Sequence, residues 1–161
     1  PSRVHRARGC DHGSMTIEQT AGPTNPVWVL RTGPKTFSGH NPRGASVQLS
    51  ATGVEGEYFT PGELMKVALA ACSAVTSESP LVRALGEDFD LEVRAAGAAD
   101  QEHKRYPELL EEMLVDLSGL DEAARERVLT VVQRAIDGHC NVGRTLEHGA
   151  QVALTIHQPE D

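Results

Sequence analysis

Cys72 and Cys140 are the side chains of this sequence whose type and setting invite chemistry. Cys72 lies within TPGELMKVALAACSAVTSE, Thr60 to Glu78, a run of small and apolar residues that reads as an enclosed helix. An unpaired thiol in such a place packs as a small hydrophobe, and burial raises its pKa and makes it inert. The residue stands 12 positions past Thr60, roughly 18 Å along a helix axis, beyond the reach of that helix's own dipole. A reactive Cys72 therefore needs a cation supplied by the tertiary fold, most naturally an arginine. Cys140 falls two residues past Gly138, just outside the end of a second helix, where a thiol has room to move by a few ångströms. Spacing alone leaves two readings open, inert packing and a working pair of thiols.

Other chemistries find less support. The seven histidines include no pair at i, i+3 or i, i+4 on a helix and there is no Cys-x-x-Cys, so the usual zinc spacings are missing. RTGPK lacks the spacing of a phosphate-binding loop, and no cofactor is implied. Acidic pairs in LLEEM and DEAARER read as solvated faces. Fifteen Lys plus Arg against 23 Asp plus Glu give a net charge of −8, with no basic block interleaved with aromatics, which argues against nucleic acid and anionic membrane as partners. The longest weakly polar run, around Val67 to Val75, is far short of a membrane span. Residues 1–14, ending in Gly-Ser before Met15, read as a cloning remnant, which sets aside Cys10 and its neighbour His12. Two thiols and no secretory signal at Met15 suggest the cytoplasm, where disulfides are mostly transient and catalytic or redox-sensing.

The elements that must position the thiols follow from the pattern of the 161 residues, 39% hydrophobic and 24% charged, an ordinary composition for one domain. Residues 15–26 form a polar N-terminal arm, and a single domain occupies 27–161. VWVLRT, TFSGH and ASVQLS, separated by GPK and NPRG, predict a three-stranded meander. Thr60, Pro61 and Glu63 predict a capped helix start, with Glu63 as the capping-box partner. Apolar residues go nearly all round the helix from Leu64 to Val75, which predicts burial on all sides, and Pro80 should kink or end it near Ser79, with a short helical piece closed by Gly86 beyond. FDLEVRAAGAA and ELLEEMLVDLSGL read as two strands, Asp121 to Asp137 as an amphipathic helix stopped by Gly138, and AQVALTIH as a closing strand. The order βββ-α-ββ-α-β is α+β, a largely antiparallel sheet packed on a central buried helix and a second amphipathic one.

Taken together, TPGELMKVALAACSAVTS and AIDGHCNVGRTLEHGAQVALTI resemble the OsmC/Ohr family of thiol-dependent peroxidases, over nearly all of Val27 to Ile156. The resemblance implies an OsmC-like fold and an intertwined homodimer. It implies that Cys72 attacks an organic hydroperoxide and becomes sulfenic acid, that Cys140 condenses with it to a disulfide, and that an external dithiol, by family analogy of lipoyl type, reduces the pair. It further implies an arginine that holds the thiolate, for which Arg43 in NPRGASV is preferred to Arg31 in VLRTG. The family's glutamate after the helix-opening proline is replaced by Gly62 here, leaving Glu63 next door as the candidate for its role. The second motif reads Cys140-Asn141-Val142-Gly143-Arg144, without the family's usual Pro and Ser, and RTGPK lacks the Gly-Gly-Arg-Asp-Gly-like turn of the Ohr branch. The chain thus reads as an OsmC-like relative outside that branch. Gly62 favours a competing expectation, a non-enzymatic thiol pocket that binds an apolar or thiol ligand, or senses oxidants, without rapid turnover.

Overall fold

The computed structural model of the protein describes residues 26–154 and residue 156. The expected cloning remnant, the arm up to Asn25, and Thr155 and His157 of the expected closing strand lie outside the described residues.

Strands β1 (Trp28–Gly33), β2 (Thr36–His40) and β3 (Ser46–Ser50) form the expected antiparallel meander in that order. β4 (Leu91–Ala96) and β5 (Leu110–Val115) pair antiparallel in a second, separate sheet, with Arg94 opposite Glu112 and Ala95 opposite Glu111. Half-buried Leu91, Val93 and Ala95 alternate with exposed Glu92, Arg94 and Ala96, the period-two signature of a sheet with one covered face.

Helix α1 (Pro61–Leu85) crosses the second sheet. Its start is set by the capping box: the Glu63 amide donates to Thr60 Oγ1 (3.3 Å), and Glu63 Oε2 accepts from the Thr60 amide (2.7 Å) and hydroxyl (2.9 Å). Phe59 ties that start to β3, donating its amide to Gln48 and accepting from Ser50. Helix α2 (Glu122–His139), capped by Asp121, and a short α3 (Asn141–His148) pack on α1. The fold is α+β, built among the described residues of antiparallel sheets and three helices.

Four expectations need correction. Pro80 neither ends nor breaks α1, which runs on to Leu85 and closes at Gly86. A proline there removes one ladder bond, but Ser77 and Leu81 on either side are fully buried and hold the helix through it. Helix α3 replaces the loop expected after Gly138. Residues 150–154 form no strand: Val152 and Leu154, with Ile156 beyond, alternate as a strand would, yet all are exposed and pair with nothing among the described residues. Finally, α1 is not enclosed on all sides in a single chain. Its buried stripe is Leu69, Ser73, Ser77 and Leu81, each four residues from the next, while Val67 is 45% and Val75 is 72% exposed. Between the first sheet and α1 lies an unfilled apolar cleft of about 650 Å³ lined by Phe37, Leu49, Leu64 and Met65 among others.

The capping box generates a stability prediction. Thr60→Ala should cost about 1 kcal/mol in urea unfolding, the usual worth of such a cap. Hydrogen bonds from the Thr60 amide and hydroxyl hold the Glu63 carboxyl below its ordinary pKa. A depressed carboxylate contributes stability at neutral pH that is lost as pH falls through its folded value. Glu63→Gln should therefore be less stable than the parent at neutral pH, and the difference should shrink under acid.

Candidate functional site

The site begins at a break between two helices. Cys140 ends α2, donating its amide to the Ile136 carbonyl (2.9 Å), and opens α3, its sulfur accepting from the Gly143 amide (3.3 Å). Arg144 staples the break by donating to the Gly138 carbonyl (3.1 Å), one of the carbonyls that a helix end leaves without a partner. Cys140 is therefore 2% exposed and held from both sides, not carried on a mobile loop.

The break turns the first turn of α3 toward Cys72, midway along α1. Partial burial pushes the Cys72 thiol up, but the Val142 amide, the Cys140 side chain, the Asn141 amide and the Thr76 side chain favour its charged form, and the net effect is a lowered pKa. Thr76, one turn on, gives its own proton to the Cys72 carbonyl (2.7 Å). The helix that activates Cys72 is thus α3, whose free N–H groups and positive end meet the thiolate directly. Cys140 shifts the opposite way: burial first, then the Cys72 thiolate beside it, push its pKa up, and the Gly143 amide offsets this only in part. Two adjacent thiols, both free, are thereby shifted in opposite directions, Cys72 down and Cys140 up.

A cavity of about 770 Å³ reaches Gly143, whose amide meets Cys140, although neither cysteine lines it. Met65 and Leu69 of α1 and Leu146 of α3 supply apolar wall, and Lys104, Arg105 and Tyr106 of the β4–β5 loop form the other side. Tyr106 explains Gly62. Its hydroxyl stands where a side chain at position 62 would begin, and its ring lies 5.5 Å from the Lys66 ammonium. Any side chain at 62 and a tyrosine so placed are mutually exclusive.

The remaining expected site residues lie elsewhere. Glu63 is engaged in the capping box. Arg43 is exposed in the β2–β3 turn, where its amide donates to Asn41 (3.0 Å), and Arg31 is exposed on β1 opposite Phe37. Within one chain neither arginine is among the groups that act on Cys72. Sequence reasoning missed the α3 amides and Tyr106; the signal for the first was Cys140 followed by LEH-terminated helix-forming residues, and Gly62 itself was the signal for the second. Among the described residues no group of three or more His, Cys, Asp or Glu could hold a metal, and no helix is long and apolar enough to cross a membrane.

Residues 54–155 match the sequence model of a family described as OsmC-like protein. An uncharacterized protein of Mycobacterium tuberculosis is 48% identical over 130 residues, spanning 81% of this chain and 94% of the relative. An uncharacterized protein of Mycobacterium bovis matches to the same extent. Among solved structures, the chain is similar to an OsmC-like protein from Mycoplasma pneumoniae (TM-score 0.58, 13% identity, 77% of this chain and 87% of the other). It is also similar to an organic hydroperoxide resistance protein from Elizabethkingia anophelis (TM-score 0.53, 14% identity, 78% and 90%). At these identities the structural matches show a shared fold.

Asn141 is the first residue of α3, a position that accepts proline but loses its amide proton by doing so. Asn141→Pro should leave the helix intact and remove one donor from Cys72. Iodoacetamide should then alkylate Cys72 more slowly at neutral pH, with the pH midpoint of the reaction moved upward.

Proposed function

Because the chain belongs to the OsmC/Ohr family, we propose that it is a cytoplasmic thiol-dependent peroxidase that reduces organic hydroperoxides through Cys72 and Cys140. The observation that carries this reading is a Cys72 thiol whose pKa is lowered by two α3 amides and a protonated Cys140 beside it. A thiolate, not a thiol, is the nucleophile that peroxide chemistry needs. Cys72 attacks the terminal peroxide oxygen, the O–O bond breaks, and the alkoxide leaves and takes up a proton as the alcohol. Cys140 then displaces the hydroxyl of sulfenic Cys72 as water, and an external dithiol reduces the disulfide by two exchanges. The apolar wall of Met65, Leu69 and Leu146 suits the organic part of such a substrate.

We assign the working form as a homodimer. The exposed Val67 and Val75 on α1, the apolar cleft beside the first sheet and the exposed alternation of Val152, Leu154 and Ile156 are apolar surfaces that a second copy would cover. Within that dimer Arg43 is assigned as the cation that orients the peroxide. The competing reading, a thiol pocket without rapid turnover, draws on Tyr106 standing over Gly62 in place of a carboxylate.

Purified protein with a dithiol reductant should consume cumene hydroperoxide catalytically, Cys72→Ser should not, and Cys140→Ser should react once and accumulate sulfinic Cys72. Stoichiometric reaction without turnover in the parent selects the thiol-pocket reading. Sedimentation at micromolar concentration should give twice the chain mass; a monomer overturns the assembly.

A further inference from the structure

A residue set aside as part of a solvated face, Glu111 of LLEEM, reaches the thiol pair through Ser73. Ser73 is 2% exposed on the buried stripe of α1, one residue after Cys72. Its hydroxyl donates to Glu111 Oε2 (3.1 Å), and the same oxygen lies 3.8 Å from Cys140 Sγ. A hydroxyl has one proton, and with that proton on the carboxylate the serine oxygen is free to accept from Cys140 whenever the thiol turns its own proton away from Cys72. The Cys140 proton thus has two acceptors in reach, the Cys72 thiolate and Ser73. When Cys72 carries an oxygen or a disulfide its negative charge is gone, and Ser73 becomes the better of the two.

We propose that Ser73 and Glu111 form a proton relay that deprotonates Cys140 for its attack on oxidised Cys72. The Cys140 proton passes to Ser73 Oγ as the Ser73 proton passes to Glu111, and the freed thiolate attacks the Cys72 sulfur. In the peroxide cycle the hydroxide that leaves Cys72 takes a proton back from Glu111 or from solvent, so that the disulfide and one water are the net products. Cys140 requires such a base, because burial and its neighbour keep it protonated and the backbone N–H it meets at Gly143 can only donate. Glu111 can relay to solvent, since it also lines the cavity beside the site. The ionisable groups that share that cavity with it are Lys104, Arg105, Tyr106 and Glu108 of the β4–β5 loop and Glu147 of α3; α1 contributes only Pro61, Gly62, Met65 and Leu69 there, and the facing group on α1 at Cys140 is Cys72. Ser73 is the catalytic member, touching the reacting sulfur, and Glu111 positions and discharges it.

The inference rests on the two-thiol reading for its physiological step, but the deprotonation of Cys140 can be followed without peroxide. In a Cys10→Ser background, 2,2′-dipyridyl disulfide should release one thiopyridone as Cys72 becomes a mixed disulfide, and Cys140 should release the second by closing the intrachain bond. In Ser73→Ala and in Glu111→Gln the second phase should slow at least about tenfold relative to the first. Its rate should then rise about tenfold per pH unit up to the ionisation of Cys140, as for an unassisted thiol. In the parent the second phase should be faster and depend less steeply on pH than in either variant. Glu112→Gln, next door on the opposite face of β5, should match the parent in both phases. A second phase with the same rate and pH profile in parent and both relay variants overturns the relay, whether or not peroxide is consumed. A relay-dependent second phase in a protein that turns over no hydroperoxide upholds the relay and removes the peroxidase reading alone.

Discussion

A thiolate halfway along an α-helix gains nothing from the helix that carries it, because dipole and free amides act only at the ends. Everything notable about the thiol pair answers that constraint. The first turn of another helix is brought to the middle of α1, and this requires the chain to stop α2 at His139 and restart at Asn141 with Cys140 between them. Close approach is possible because the facing stripe of α1 carries Ser73 and Ser77, small residues that let backbones near one another. The same cysteine that caps α3 is thereby fixed against Cys72. One break in the chain both activates the first thiol and places the second.

The two sulfurs share one environment, yet it treats them in opposite ways. Amides that aim at Cys72 favour its charged form, and the charge so created, with burial, disfavours ionisation of Cys140. Such a division lets one thiol be reactive at rest while the other stays protonated and does not compete for oxidant. It also means that Cys140 becomes useful only after Cys72 has lost its charge. Order in time then follows from electrostatics, with no movement of the backbone needed to impose it.

Much of this was legible in the sequence because it rests on local rules. Thr60, Pro61 and Glu63 mark the start of α1, the three strand segments separated by GPK and NPRG form the meander, and Asp121 caps α2 where the pattern begins. What was not legible depends on tertiary contacts. Pro80 breaks a helix by local rules, and only the burial of Ser77 and Leu81 carries α1 past it. No spacing rule says that α3's amides will face Cys72, 69 and 70 positions away in sequence, so the sequence argument looked for an arginine where the fold supplies backbone. Glu111 was read with its neighbours as a solvated face, and like Glu112 beside Arg94 it is exposed, but its carboxylate also accepts a hydrogen bond from Ser73, which no local pattern announces. Gly62 was noticed as a departure, but its partner Tyr106 could not be named without the β4–β5 loop in place.

The burial pattern of α1 joins the site to the assembly we propose. Residues all round this helix are apolar, as in an enclosed helix, while in one chain only the stripe through Leu69 and Leu81 is covered. A sequence that maintains Val67 and Val75 on an open face, and an alternating Val152, Leu154 and Ile156 with no strand beside them among the described residues, is patterned for a covering surface. Covering them with a second copy would bury apolar area at about 25 cal/mol per Å², and it would also draw water away from the neighbourhood of Cys72. Desolvation by itself raises a thiol's pKa, so the amides of Asn141 and Val142 must act against a larger opposing effect in the dimer than in the lone chain. That is a reason for a thiolate so placed to be held by backbone donors: they are fixed by the helix that bears them, they carry no counter-charge to desolvate, and they stay aimed at the sulfur when the surface closes over it.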